Sequence, residues 1–422
     1  MTAPATAATD PRRRTDGLGW ATRAVFADHR IALSVDAVPP AGHTVVARYA
    51  VVPSVTGARF LLPHGSPRVA AAALLAYNAL RPATVRAARA LLGAAARVGV
   101  VDRAPFPVLI VALPNRLDPA AVLLADRLAA ALGAPMYAAC GIRPPDPNHK
   151  PTLQLFDHSG RPRGYAKIGW NDATRTLVSA EAAALRELPA LAGRAGHPDT
   201  PRLLAEVNWA GQVIAVIEPL PAQVRGVRTA AAPDLAALLA VARRGRPPAA
   251  PRPLAGSPFL ARLAAEAQRA AAGPAGRRAV AAVGALTRRH GQVAVEFGHW
   301  HGDWVPWNLG RHGGELVAWD WEHSGPDVPV GFDLAHDAFQ RAVVLRGEPA
   351  GPAADIAGRW LDRYGDRLGL DARQRHLVLD AYLVEMWLRT WRLADAGAGW
   401  NAALHPALLD TLEKRAGGDG VA

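Results

Sequence analysis

The chain is 422 residues long, 50% hydrophobic and 20% charged, values that exclude a disordered or fibrous polymer and leave room for two or three folding units. Its one cysteine, Cys140, excludes a disulfide framework or multi-thiolate metal site, and without an apolar signal core or a charge-free run near the roughly 20 residues of a membrane helix, a cytoplasmic protein is expected. The net charge of +12 rests on 48 basic residues of which only Lys150, Lys167 and Lys414 are lysine; this reads as arginine-rich coding bias on a solvated surface, with an anionic substrate or membrane surface as the lesser alternative, and no nucleic-acid partner is expected.

Residues 1–16 read as a tail. The stretch 44–63, rich in β-branched and aromatic residues with a glycine break, predicts two or more strands. Over 82–99, Ala83, Val85, Ala88, Leu91, Leu92 and Ala95 recur at helical spacing with arginines mostly opposite, which predicts an amphipathic helix. Arg86 and Arg89, one turn apart there, read as a solvated face rather than a phosphate site. A strand at 108–113 follows, then a helix at 118–132 that starts at Asp118-Pro119.

Three short strands are then predicted at 136–142, 152–156 and 165–168, the last two joined as a hairpin by HSGRPRG. A helix at 179–191 and strands near 203–207 and 212–217 complete a five-stranded sheet with one helix inserted. After Pro219 the pattern is helical, at 232–244, 258–271, 277–290, 354–364, 371–394 and 403–416, with the Pro/Arg-rich segment 245–253 as a linker.

Chemistry concentrates in HWHGDWVPWNLGRHGGELVAWDWEHSGPDVPVGFDLAHD, residues 299–337. Asn308 follows Asp303 by five residues, and the strand-like run 316–319 delivers Asp320. Phosphoryl transfer needs such a set: one carboxylate to accept the proton of the attacking hydroxyl, and an amide with a second carboxylate to hold Mg²⁺ on nucleotide phosphates. Oxygen ligands of this kind suit a hard cation.

HGDWVPWN and AWDWE…FDLA resemble the catalytic loop and metal-binding motif of the aminoglycoside phosphotransferase family. The resemblance is specific at 299–337, looser over about 134–420, and does not reach 1–133. It implies an α+β, protein-kinase-like two-lobe fold, with a nucleotide-binding lobe at 134–222 and a helical lobe with catalytic and acceptor sites at 223–422; residues 17–133, outside the resemblance, mix strands with helices and read as an additional N-terminal α/β region of unknown role. It also implies ATP, or GTP, with Mg²⁺, and a small hydroxylated acceptor such as a sugar, antibiotic or metabolite. The basic balance favours a neutral or anionic one.

On that resemblance Asp303 is the catalytic base, and Asn308 and Asp320 hold the metal. Lys167 meets the α- and β-phosphates, a role for which an ammonium is not interchangeable with a guanidinium. Glu181, with Glu187 as the alternative, orients Lys167, while backbone groups of Glu218 and Leu220 meet the adenine. The turn RPPDPNHK (143–150) lacks the glycines of a protein-kinase phosphate loop.

Plainer roles stand beside these: His301 bracing the loop, Asp333 bonding backbone amides, the tryptophans of 300–321 packing around the motif, Cys140 an inert core thiol. Glu322 reads either as a metal ligand or as a surface group. Two other functions are carried forward. His299, His301 and Asp303 spell the H-x-H-x-D of zinc-dependent hydrolases, although Trp304 stands where that motif needs a histidine. The other is a kinase-fold scaffold without turnover.

Overall fold

In the computed structural model, which describes residues 10–76, 80–81 and 83–417, the β-branched and apolar runs before Ala222 assemble into one sheet. The elements are α1 (Gly17–Val25), β1 (Ala32–Val35), β2 (His43–Val52), β3 (Phe60–Pro63), α2 (Pro67–Leu75), α3 (Ala83–Arg97), α4 (Val100–Arg103), β4 (Val108–Pro114), α5 (Leu124–Leu132), β5 (Tyr137–Gly141), β6 (Thr152–Phe156), β7 (Pro162–Gly169), α6 (Asp172–Glu187), β8 (Leu203–Trp209) and β9 (Gln212–Ile217). The nine strands are antiparallel throughout, in the order β1-β4-β2-β3-β5-β6-β7-β9-β8.

The expected five strands are thus β5 to β9, and the preceding region adds four more to the same sheet. The junction is short: Phe60 pairs with Gly141 and Leu61 with Cys140. Burial makes it firm. Leu18, Trp20, Phe26 and Ile31 share one core with Leu153, Ile168, Ile214 and Val216, and Leu62, Val69 and Leu74 share another with Ala139 and Phe156.

Several local features differ from the sequence pattern. Residues 1–9 of the expected tail lie outside the described residues. Residues 10–16 are held, because the Arg12 guanidinium donates to the carbonyls of Phe26, Asp28 and Ile31 at 3.2, 3.0 and 2.8 Å. Helix α6 starts at Asp172 rather than 179, since Asn171 accepts from the Thr174 amide at 2.8 Å and caps it. Helix α3 turns the unexpected way: Gly93 and Ala96 are buried, whereas Leu91 and Leu92 are 74% and 56% exposed. Arg89 faces inward there, donating to the carbonyls of Leu74 and Ala76.

The second compact unit comprises Ala183–Thr200 and Gln223–Ala422. Its elements are β10 (Arg225–Gly226), α7 (Leu235–Arg243), β11 (Arg252–Pro253), α8 (Pro258–Ala270), α9 (Pro274–His290), β12 (Ala294–Val295), β13 (Phe297–Trp300), β14 (Leu309–His312), β15 (Glu315–Ala318), β16 (Gly325–Pro329), α10 (Phe332–Gln340), α11 (Ala350–Tyr364), α12 (Ala372–Asp395) and α13 (Leu404–Gly417). An Asp371/Gln374 capping box opens α12. That helix is buried on all sides from Leu377 to Arg389, so it forms the axis of the unit.

The pattern missed α10, whose buried positions include Asp333, His336 and Asp337 among its apolar residues. Among the described residues no helix is long and apolar enough to cross a membrane.

Because residues 17–133 share cores and a sheet with β5 to β9, a fragment beginning at Ala134 would bare the β5 edge and the apolar faces around Leu153 and Phe156. Expressed alone, fragment 134–422 is expected to aggregate. A soluble monomer with a cooperative melt would contradict this.

Candidate active site

Strand β13 ends at Trp300 and hands the chain to His301, Gly302 and Asp303. Asp333, in the first turn of α10, accepts hydrogen bonds from the His301 and Gly302 amides at 2.7 and 3.0 Å, so one carboxylate grips two successive backbone groups. Burial pushes the Asp333 carboxyl up to about 7, against the opposing pull of those two amides. Gly302 has φ +79°, and a Cβ there would lie 2.2 Å from the His323 carbonyl oxygen. No side chain fits.

His301 is fully buried and braces the loop with both ring nitrogens. Its Nε2 donates to the Trp319 carbonyl at 3.1 Å while its Nδ1 accepts from the Asp303 amide at 3.2 Å. Burial depresses its pKa to about 4, so the ring is neutral and its tautomer is set by these partners. No ring lone pair remains for a metal. The zinc constellation of His299, His301 and Asp303 is therefore not assembled. Trp321 packs on the His301 ring at 4.3 Å between centroids, and Trp300, Trp304 and Trp321 are buried in the packing role, whereas Trp307 is 40% exposed.

Two side chains, Asn308 and His336, hydrogen-bond to the Asp303 carboxylate. The Asn308 amide Nδ2 donates to Asp303 Oδ2 at 2.7 Å and to its carbonyl at 3.1 Å. His336, on α10, donates from Nε2 to Oδ1 at 3.0 Å, and its own Nδ1 accepts from the buried Tyr382 hydroxyl of α12 at 3.1 Å. Arg389, about two turns further along the same face of α12, donates to the Gly302 carbonyl at 2.5 Å and lies over the Trp300 ring. Burial alone would raise the Asp303 carboxyl, but the His336 hydrogen bond and the positive charge of Arg389 outweigh it and hold the group well below the usual carboxylate range. It is an ionised acceptor at any physiological pH.

Asn308 is 3% exposed, and with Nδ2 committed to Asp303, none of the described residues donates to its Oδ1. That oxygen suits a hard cation. Hairpin β14–β15 ties the backbone just before Asp320 to that of Asn308: Leu309 pairs with Ala318, and the Trp319 amide donates to the Asn308 carbonyl at 3.1 Å. Asp320 has φ +66°, a left-handed conformation that costs a non-glycine residue roughly 1–3 kcal/mol and is typically retained at functional positions. Its charge is felt by His301.

In the sheet unit, Lys167 on β7 places Nζ 2.7 Å from both carboxylate oxygens of Glu181, which is 1% exposed on α6. Glu187 is not the partner; it pairs with Arg244 at 2.6 Å. Past β9, the Glu218 amide donates to the Arg202 carbonyl and its side chain pairs with Arg202. Among the described residues the Glu218 carbonyl and the Leu220 amide carry no such bond.

The glycine-free turn 143–150 is pinned instead by side chains: Trp170 Nε1 donates to the His149 carbonyl at 2.9 Å and Asn171 to the Pro147 carbonyl at 3.0 Å. Cys140 is buried, with its thiol pushed up to about 12, an inert group. The residues that sequence reasoning missed are His336, Tyr382 and Arg389. Only the spacing of Asp333 and His336, one turn apart, offered a signal.

No family model matches the chain, and no curated protein matches it. Among solved structures it is similar to a thermostable mutant of the aminoglycoside phosphotransferase APH(4)-Ia in its apo form, at 11% identity and TM-score 0.45, covering 71% of this chain and all of that one. It is similar to the choline kinase LicA from Streptococcus pneumoniae at 13% identity and TM-score 0.41, covering 63% and 89% of the two chains. A putative fructosamine-3-kinase from Haemophilus somnus 129PT follows at 12% and 0.40, covering 68% and 96%. At these identities the likeness carries no activity to this chain.

Replacing Asp333 by Asn would set an NH₂ group against one of the two amides it now accepts. Asp333→Asn is expected to lower unfolding free energy by about 1–3 kcal/mol in urea titration. An unchanged midpoint would contradict the anchoring role.

Proposed function

We propose that the chain is an ATP-dependent phosphotransferase that moves the γ-phosphate to a hydroxyl of a small molecule, in the manner of the aminoglycoside phosphotransferase family; GTP is the alternative nucleotide. The observation that carries this reading is the Asp303 carboxylate, ionised and aimed by His336 and Asn308. Asp303 receives the acceptor hydroxyl as a hydrogen-bond donor and takes its proton. A carboxylate held so far below its ordinary range is a weak base, so it orients the hydroxyl first and accepts the proton only as the new P–O bond forms, as a loose phosphoryl-transfer transition state allows.

Asn308 and Asp320 would hold Mg²⁺, which when bound neutralises phosphate charge. Lys167, fixed by Glu181 through both carboxylate oxygens, contacts the nucleotide phosphates. The Glu218 carbonyl and Leu220 amide receive the adenine edge. Catalysis comes from positioning and charge stabilisation rather than covalent chemistry. The helical unit supplies the acceptor site, and the basic charge balance favours a neutral or anionic acceptor such as a sugar.

The test is transfer of labelled γ-phosphate from ATP or GTP to a panel of sugars, hydroxylated metabolites and aminoglycosides. Wild-type protein is expected to label at least one acceptor, and Asp303→Ala to lose turnover by roughly a thousandfold, the scale of removing a catalytic group that acts only in the transition state, with its melting temperature retained. Labelling that survives in Asp303→Ala would overturn the assignment. Lys167→Arg is expected to raise KM for the nucleotide and lower kcat, because the fork cannot reproduce a point charge between Glu181 and phosphate; unchanged kinetics would remove Lys167 from the site.

A further inference from the structure

Helix α3 is covered on the wrong side for its sequence. The face resting on the protein carries Gly93, Ala96 and the inward-turned Arg89, and the face in water carries Ala87, Ala88, Leu91, Leu92 and Ala94. Leu91 is 74% exposed, Leu92 56% and Val98 68%, with Val85, Val100 and Leu75 near 40% beside them (42%, 43% and 38%). Such a concentration of large apolar side chains in water on one helix marks a surface that is covered in use.

The charge around it says by what. From Gly65 to Val101 the sequence has no aspartate or glutamate, but five arginines. Arg68, Arg81, Arg86 and Arg97 are exposed. Arg86 and Arg97 stand on one edge of α3, about three turns apart. An occupant must therefore accept leucine and valine in its interior and present negative charge at its rim.

We propose that the solvent face of α3 docks on an anionic phospholipid bilayer. Leu91, Leu92 and Val98 enter the acyl boundary, and the arginines extend their stems over it to meet lipid phosphates. A second copy of the chain fits poorly, since a symmetric contact sets these arginines against their equivalents with no carboxylate of the stretch to pair them. A nucleic acid fits poorly as well, because the face offers leucine and alanine where bases require aromatic or hydrogen-bonding side chains. The inference does not rest on the phosphotransferase reading.

The test is co-sedimentation of the full chain with phosphatidylcholine vesicles and with vesicles containing phosphatidylglycerol, beside the paired variants Leu91→Glu/Leu92→Glu and Arg86→Glu/Arg97→Glu. Since the substituted side chains are exposed, melting temperatures serve as the folding control. Wild type is expected to bind the anionic vesicles and not the neutral ones, more weakly as salt rises, with each variant losing roughly tenfold or more in affinity. No binding to either vesicle overturns the proposal and leaves an acidic protein as the occupant. Binding that both variants retain overturns it too, as does equal binding to neutral vesicles. A wild-type dimer in sedimentation velocity that Leu91→Glu/Leu92→Glu dissolves would show that a second copy covers the face.

Discussion

The loop that carries Asp303 depends on one carboxylate. Asp333, held in the first turn of α10, accepts from the amides of His301 and Gly302, and the groups gathered around Asp303 are referenced to that grip. His301 is thereby presented to the Trp319 carbonyl, which ties the loop to hairpin β14–β15. The hairpin in turn carries Asp320. Asp303 emerges from the same loop with its backbone amide held by the His301 ring. A buried polar group that is fully partnered rigidifies its surroundings, and here that rigidity spans a strand, a loop, a hairpin and a helix.

The contacts that hold Asp303 continue through α10 and α12. Tyr382 fixes the tautomer of His336, His336 aims Asp303, and Arg389 ties down the Gly302 carbonyl from the other side. Each link joins a group of defined donor or acceptor character, so the Asp303 carboxylate has one ionised state and one orientation before any ligand arrives. Such pre-organisation is the main device of catalysis by positioning. In the sheet unit, Lys167 and Glu181 achieve the same in a single bidentate contact.

Much of this was legible in the residues. A lysine kept among arginines pointed to Lys167, and the Asp303, Asn308 and Asp320 spacing pointed to the loop, because those groups sit close in sequence or are exceptions to its composition. Tyr382 and Arg389 were not legible because α12 is distant in the chain, and His336, although inside the 299–337 segment, was missed because α10 hid its periodicity behind buried aspartates and a histidine. The sequence put Glu181 first with Glu187 as the alternative, and the Lys167 contact and the Arg244 pairing of Glu187 settle that order. The joining of four extra strands at β3 and β5 left no mark either, since two residue pairs of edge contact carry no pattern. For α3 the periodicity gave a helix with two faces but not which face the protein covers.

The most direct measurement of the central claim is a thermal-melt series of the full chain with ATP and GTP, each with and without Mg²⁺, on wild type and on Asp320→Ala. At about 100 times its dissociation constant a ligand adds roughly 2.7 kcal/mol of stability, a readily measured shift. A kinase-type site predicts a Mg²⁺-dependent shift with one of the nucleotides that Asp320→Ala loses. No shift with either nucleotide, or one indifferent to Mg²⁺ and to Asp320, would contradict it.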